Sequence, residues 1–339
     1  MSDRDDIHIL VTGATGLIGA HIAFDLAKSG KKIRAIKRKS SSTKLIESIF
    51  SFYSSEAKFL LSQIEWKDAD LLDLGALEDS LEGITHVYHA AALVSFIPKD
   101  KQRMLEINIE GTANIVNLCL EKNITKFCHV SSIASIGRTT DGSFVDENTY
   151  WKNSPDNSWY AISKYGAERE VWRAAEEGLN VVIVNPGFVI SPGHGTSSSE
   201  AYMLLKKGMK WYSEGVTGFV DSRDVSAAAI LLMQSEISNE RFILCAENLS
   251  FRKFFDAVLK EFGKPATRFR TTRFLLSAGW RAEKILAALS GRNPRLTKET
   301  AQSALQKHHF KADKIEKMSS FRYRKMEDTI REISKFYLS

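Results

Sequence analysis

Short apolar runs alternate with amphipathic stretches through the first half of the chain. Ile7–Val11 reads as a strand that ends on a glycine-rich turn, followed by a helix to about Ser29. Gly30 fits that helix's C-terminal cap. Further strands are expected at Lys32–Lys37, Ile64–Lys67, His86–Ala90, Lys126–Val130 and Val181–Asn185. Between them lie amphipathic patterns at Leu74–Leu81, Lys101–Lys122 and Ser158–Glu177. Strands and helices alternating at this spacing predict an α/β fold with a Rossmann-type, doubly wound parallel sheet.

After Pro192 the pattern loosens. A glycine- and serine-rich loop at 193–199 is followed by amphipathic helices at about 200–210, 223–235, 251–262, 272–290, 297–307 and 324–337. This predicts a dinucleotide-binding domain over residues 1–192, with a return contribution around 215–235. Residues 193–339 then form a smaller, mainly helical substrate lobe.

Composition narrows the class. The 339 residues are 43% hydrophobic and 26% charged, ordinary for a globular protein with a large core. No apolar run reaches the roughly 18 residues of a membrane span, and the charged N-terminus lacks a secretory pattern, so a cytoplasmic protein without a membrane partner is expected. Cys119, Cys128 and Cys245 lack disulfide-framework or zinc spacing and read as reduced packing residues. The histidines show no metal pattern, so no metal is expected; His308 and His309 read as part of a solvated helix face. Charge is uneven: from Lys264 onward there are 18 Lys and Arg against 7 Asp and Glu, whereas the preceding residues are net acidic. The basic residues form no blocked run and no nucleic-acid module, so solvated lysines are preferred to a nucleic-acid partner.

Two motifs about 140 residues apart carry the chemistry. Residues 12–19 read Thr-Gly-Ala-Thr-Gly-Leu-Ile-Gly. Between a strand and a helix, Gly13 permits a turn with positive φ, Gly16 admits a diphosphate close to the backbone, and Gly19 allows tight helix packing. The first helical turn, with Thr15, Leu17 and Ile18 around it, offers free amides to phosphate. Downstream, Tyr160 and Lys164 stand i, i+4 on one predicted helix face. A nearby ammonium stabilises a phenolate and lowers its pKa, which suits Tyr160 to proton exchange with a carbonyl oxygen. Lys164 is also placed to hold the nicotinamide ribose. Ser132, just past a buried strand, is the expected partner for the substrate oxygen, with Ser131 as the alternative. Asn108 falls within a predicted helix, where Asn is a poor former, and is read as bridging helix backbone and active site. The second strand ends in Lys37-Arg38-Lys39-Ser40, with no acid to accept a ribose 2′-hydroxyl. Arg38 suits a 2′-phosphate, with Lys39, Ser40 and Lys44 as further donors, so NADP is preferred over NAD.

These residues resemble the extended short-chain dehydrogenase/reductases of the NAD-dependent epimerase/dehydratase superfamily. The likeness runs through Thr12–Gly19, Asp70-Leu71, His89–Ala92, Asn108–Thr112, Ser131–Gly137, Tyr160–Lys164, Pro186–Gly193 and Phe219–Val225. It is narrowest to dihydroflavonol 4-reductase and 3β-hydroxysteroid dehydrogenase-like enzymes. The resemblance implies that Asp70 and Leu71 contact adenine and that Ala90, Ala91, Ala92 and Pro186 line the nicotinamide end. It further implies a homodimer through the Lys101–Lys122 and Tyr160 helices. Two departures matter. Ser132 is followed by Ile133-Ala134, without the Asp-Glu pair of sugar-nucleotide dehydratases, and Asn185 stands where many sugar-nucleotide enzymes have Arg.

The expected activity is hydride transfer between a nicotinamide and a ketone or secondary alcohol, with Ser132, Tyr160 and Lys164 handling the proton. Val94, Phe96, Met203, Trp211 and Tyr212 are candidate pocket walls. A nucleotide-sugar epimerase with tightly bound NAD, and a non-enzymatic nicotinamide sensor on the same fold, are the alternatives.

Overall fold

A computed structural model describes residues 8–139, 142–294 and 296–338. The chain runs β1 (Ile9–Thr12), α1 (Leu17–Lys28), β2 (Ile33–Lys37), α2 (Lys44–Tyr53), α3 (Ala57–Ser62), β3 (Ile64–Asp68), α4 (Leu74–Ser80) and β4 (His86–His89). It continues through α5 (Lys101–Leu105), a π-helical turn (Glu106–Glu110), α6 (Gly111–Glu121), β5 (Lys126–Val130), a 3-10 turn (Ile133–Ser135), α7 (Trp159–Glu176), β6 (Val181–Pro186) and β7 (Phe188–Ile190). The remainder is α8 (Ser197–Lys206), β8 (Trp211–Tyr212), β9 (Val216–Asp221), α9 (Ser222–Gln234), β10 (Glu240–Leu244), β11 (Glu247–Ser250), α10 (Phe251–Glu261), β12 (Phe269–Arg270), α11 (Arg273–Ser290), α12 (Lys298–Ser303), α13 (Lys314–Met318) and α14 (Met326–Leu338). Ile7, the expected start of the first strand, lies outside the described residues.

Seven parallel strands form the main sheet in the order β10-β6-β5-β4-β1-β2-β3. Successive residues of one strand go to opposite faces, so Leu10 and Val181 join one apolar cluster while Val11 and Val182 join the other. Both faces are covered, as a parallel sheet requires. The order reverses between β1 and β4, and the loops after these two strands meet there. A Cβ on Gly13 (φ +70) would fall 2.6–2.7 Å from the Ala90 and Ala91 backbone. Ligands bind at such switch points.

The return contribution expected around 215–235 extends further along the chain. α9 packs against α1, and β10 pairs with β6 to become the edge of the main sheet. β9, which leads directly into α9, runs antiparallel to β11 and parallel to β7 in a second small sheet. The lobe's own core gathers Tyr202, Phe219, Phe254, Val258, Ile333 and Tyr337.

Three local expectations change. The expected helix at 101–122 is continuous only through the π turn at Glu106–Glu110. The helix expected at 297–307 stops at Ser303, because the Ala304 and Gln306 carbonyls accept from the Gly215 and Val216 amides. His308 and His309 therefore do not lie on a solvated helix face. They follow an extended bridge from Lys307 to Val216, and burial with nearby Arg138 lowers the His308 pKa to about 4. Cys119, Cys128 and Cys245 are buried and free, with thiol pKa values raised by burial.

Candidate active site

The glycine loop closes on itself. The Gly16 amide donates to the Gly13 carbonyl at 2.8 Å, and Gly16 in an extended conformation starts α1. A Cβ on Gly19 would lie 2.2 Å from the Gly13 carbonyl oxygen. The third glycine therefore seats the helix on the loop itself rather than on the sheet. The arrangement leaves the first-turn amides around Leu17 and Ile18 without intrahelical acceptors, at the positive end of the helix dipole. Thr15 sits half-buried within the turn.

The residues expected at the adenosine end follow β2 and β3. Arg38 is exposed in the turn after β2, its carbonyl accepting from the Ser41 amide at 2.8 Å. Lys37 is paired with Asp68 across the strands at 3.0 Å, so it is engaged elsewhere. Lys39 and Ser40 are exposed beside Arg38, and Lys44 opens α2. Asp70 caps its own turn by accepting from the Leu72 amide at 3.1 Å. Leu71 is buried against Gly111, where a Cβ would lie 2.9 Å from it, and its carbonyl accepts from Asn114 Nδ2 at 2.9 Å.

Ala90, Ala91 and Ala92 open an irregular segment after β4 that a polar chain holds in place. His89 Nδ1 is 2.8 Å from Thr12 Oγ1, and His89 Nε2 is 3.1 Å from Thr112 Oγ1. Thr112 donates to the Asn108 carbonyl, so His89 Nε2–H donates to Thr112 and the Thr12 hydroxyl donates to His89 Nδ1. Thr12 Oγ1 also accepts from the Ala91 amide at 3.2 Å. Burial lowers the His89 pKa to about 3, keeping the ring neutral and the order of donors fixed. Asn108 is buried in the π turn. Its Oδ1 accepts from the Leu93 amide at 2.7 Å, and its Nδ2 donates to the Leu93 carbonyl and to Ser163 Oγ, each at 2.9 Å. It thus ties the segment after β4 to α7.

Ser158 caps α7 by accepting from the Ala161 amide at 3.1 Å, and the helix carries Tyr160, Lys164 and Glu168 along one face. Phe96, on the segment pinned by Asn108, meets the Tyr160 ring edge-on with centroids 5.6 Å apart. Burial raises the Tyr160 pKa, and a hydrogen bond with the Ser132 hydroxyl pulls the other way. The expected lowering by Lys164 is therefore not the controlling effect in the protein by itself. Lys164 Nζ donates to the Val130 carbonyl at 2.8 Å, directing the ammonium along the end of β5. Its pKa falls to about 8, because burial disfavours the charge and Glu168 only partly restores it.

Glu168 went unremarked in the sequence, although its i+4 spacing from Lys164 was a usable signal. It is buried, and the Ser131 and Ser135 hydroxyls lie 2.6 Å from its Oε2. Asn185 Nδ2 donates to the same oxygen at 2.8 Å and to the Ser132 carbonyl at 3.1 Å. Arg241, on β10, pairs with Oε1 at 3.1 Å. Ser131 is thereby engaged behind the sheet edge, while Ser132, capping the 3-10 turn at the Ala134 amide, is the serine beside Tyr160. Asn185, at the position where many sugar-nucleotide enzymes have Arg, is a donor to this buried carboxylate. Pro186 ends β6, and Gly187 after it packs on Gly218, whose carbonyl oxygen a Cβ would approach to 2.3 Å.

Of the candidate pocket walls, Val94 and Phe96 share the segment held by Asn108. Met203 is exposed on α8, Trp211 packs on Phe269, and Tyr212 lies under Arg252.

A glycine-rich helix start after β1, and a serine after β5 beside a tyrosine–lysine pair, stand past the C-terminal ends of the strands, where Rossmann-class sheets bind ligands. The chain belongs to the NAD dependent epimerase/dehydratase family, whose model matches residues 9–245. It is an enzyme of the dehydrogenase/reductase superfamily that contains this family. A putative dihydroflavonol 4-reductase of Synechocystis is 30% identical, over 90% of this chain and 87% of that protein. Cinnamoyl-CoA reductase 1 of Petunia hybrida is 29% identical over 75% of this chain and 77% of its own. Among solved structures, gox2253 superposes with a TM-score of 0.80 at 27% identity, covering 98% of both chains. The Thermus thermophilus UDP-glucose 4-epimerase in complex with NAD has a TM-score of 0.74 at 19% identity, covering 98% of each chain, a likeness of fold.

Proposed function

We propose that the protein is an NADPH-preferring carbonyl reductase, acting between a ketone and the corresponding secondary alcohol. The observation that carries this reading is the half-buried Tyr160 phenol, hydrogen-bonded to Ser132 and one helical turn from the buried Lys164. The residues fit a nicotinamide dinucleotide: Gly13 and Gly19 let the loop, the Ala90–Ala91 backbone and α1 close on one another without side chains between them, and the first turn of α1 supplies amides. When bound, the cofactor supplies hydride to the carbonyl carbon.

Ser132 and Tyr160 direct their hydroxyls to the carbonyl oxygen, which fixes its orientation and favours developing negative charge there. The raised pKa keeps Tyr160 protonated before the reaction, so it stands ready to donate. With one proton engaged at Val130, Lys164 retains two for the ribose and the phenol side. Asn108 positions the nicotinamide-side segment through Leu93. The absence of an Asp-Glu pair after Ser132 leaves no carboxylate acid–base pair for dehydration. As proposed, the enzyme works in the cytoplasm on a small carbonyl or alcohol, as a homodimer paired through α5, α6 and α7.

Steady-state oxidation of NADPH with a panel of aryl and alicyclic ketones tests the reading. Turnover in which one alcohol forms per NADPH consumed is the expected result. Tightly retained NAD with no demand for added cofactor would instead indicate an epimerase.

Arg38 is assigned the 2′-phosphate. Arg38→Asp is expected to weaken NADPH binding about tenfold or more, roughly 1.4 kcal/mol, without a matching loss for NADH. An unchanged NADPH affinity in a fluorescence titration would remove Arg38 from that role.

Glu168 is a positioning residue. Its negative charge favours the Lys164 ammonium, so Glu168→Gln lowers the Lys164 pKa further below about 8. The loss of activity on the alkaline side, as Lys164 deprotonates, then begins at lower pH. A pH–rate profile reads this directly, and an unshifted alkaline limb in a folded variant argues against the coupling.

A further inference from the structure

α11 carries its apolar face outward. Phe274, Ala278, Ala282, Ile285 and Leu289 follow spacings of three and four and form one stripe. Every one is exposed, with Phe274 at 79%, Ile285 at 61% and Leu289 at 81%. The opposite side packs inward: Ala287 is buried, Leu276 and Trp280 are half-buried, and the helix rests on α12. A globular helix with the reverse arrangement would hide this stripe, so the outward face requires a covering partner.

Charge selects the partner. Arg273, Arg281 and Lys284 follow the same helical spacing in the adjacent stripe and are exposed. None of the three is in an ion pair among the described residues, unlike Arg270, paired with Glu214, and Arg292, paired with Glu283. The segment from Lys264 onward carries 18 Lys and Arg against 7 Asp and Glu. Pairing two copies through this face would bring like charges together, whereas an anionic surface complements them. The apolar exposure also continues past the helix start, where Phe269 and Trp211 are both exposed and in ring contact at 5.2 Å. Trp and Phe beside a basic stripe favour the headgroup region of a bilayer.

We propose that α11 docks in the plane of an anionic membrane surface, its Phe274–Leu289 stripe among the acyl chains and its arginines and lysine among the headgroups. No helix among the described residues is long and apolar enough to cross a membrane. The expectation of no membrane partner rested on the lack of a spanning run, which a helix lying in the interface does not need. The inward side of α11 rests on α12, which reaches α7 through Glu299 Oε1, accepting from the Trp159 amide at 3.4 Å, so the docked face is turned away from Tyr160.

The test is co-sedimentation of the full chain with vesicles of phosphatidylcholine alone and of phosphatidylcholine mixed with phosphatidylglycerol. Binding to the mixed vesicles, weakened by salt, is expected. Leu289→Asp and the double change Arg281→Glu, Lys284→Glu should each lower it about tenfold or more. Reduction of a water-soluble ketone by the Leu289→Asp protein should be unchanged, so failure of docking and failure of the reductase reading are separately visible. Equal binding to both vesicle types, or binding unaffected by these changes, overturns the proposal. So does a dimer that Leu289→Asp dissociates in the absence of vesicle binding, which would assign the face to a second copy.

Discussion

Tyr160→Phe is expected to lower kcat by about 10²–10⁴-fold while leaving NADPH affinity close to that of the parent protein. The change removes one oxygen and keeps the ring, so the edge-on contact with Phe96 remains. What is lost is the phenol hydrogen-bonded to Ser132, which on the proposed mechanism is the proton source and one of the two hydroxyls on the substrate oxygen. The neighbouring groups do not substitute. The Ser131 hydroxyl is held at Glu168, and Lys164 is directed to the Val130 carbonyl. Single-turnover kinetics with prebound NADPH separate the chemical step from binding. A Phe variant that retains the parent's single-turnover rate would remove Tyr160 from proton transfer.

Gly19→Ala is expected to weaken nicotinamide binding by about 100-fold, roughly 3 kcal/mol. The new Cβ would lie 2.2 Å from the Gly13 oxygen and 2.6 Å from the Gly13 carbonyl carbon, both backbone atoms in the loop proposed to hold the phosphates. Relief requires α1 to move away from the loop, which takes its first-turn amides out of position. Gly30→Ala is the matched control. It strains a positive φ of 78° at the other end of the same helix, but its Cβ meets nothing within 4 Å. It is expected to cost stability, about 1 kcal/mol, with cofactor affinity retained. Equal loss of affinity in both variants would mean that helix stability, rather than loop geometry, governs binding.

Much of the cofactor half was legible because its signals are local. Each glycine of the loop acts within a few residues, and the apolar strands read directly as a two-faced sheet. α2 and α3 were not anticipated, since their apolar positions lie in a serine-rich stretch that masks the period. β9, β10 and β11 were also missed. Their pairing partners are distant in sequence, and β10 becomes a sheet strand only by meeting β6. His89 showed no role of its own until Thr12 and Thr112 were seen on either side of it. Glu168 illustrates the same limit: a carboxylate on a buried helix face must find partners, but Ser131, Asn185 and Arg241 come from three separate strand ends. The π turn at Asn108 is likewise a tertiary outcome, in which side-chain bonds to Leu93 and Ser163 favour a widened turn over a regular helix.

The account rests on exchangeable NADPH at the glycine cradle. The most direct measurement is a fluorescence titration of the purified protein with NADPH and with NADH, preceded by release and analysis of any nucleotide already bound. Saturable, reversible binding with clear preference for NADPH is the predicted result. Retained NAD that does not exchange, or no binding of either nucleotide, would contradict it.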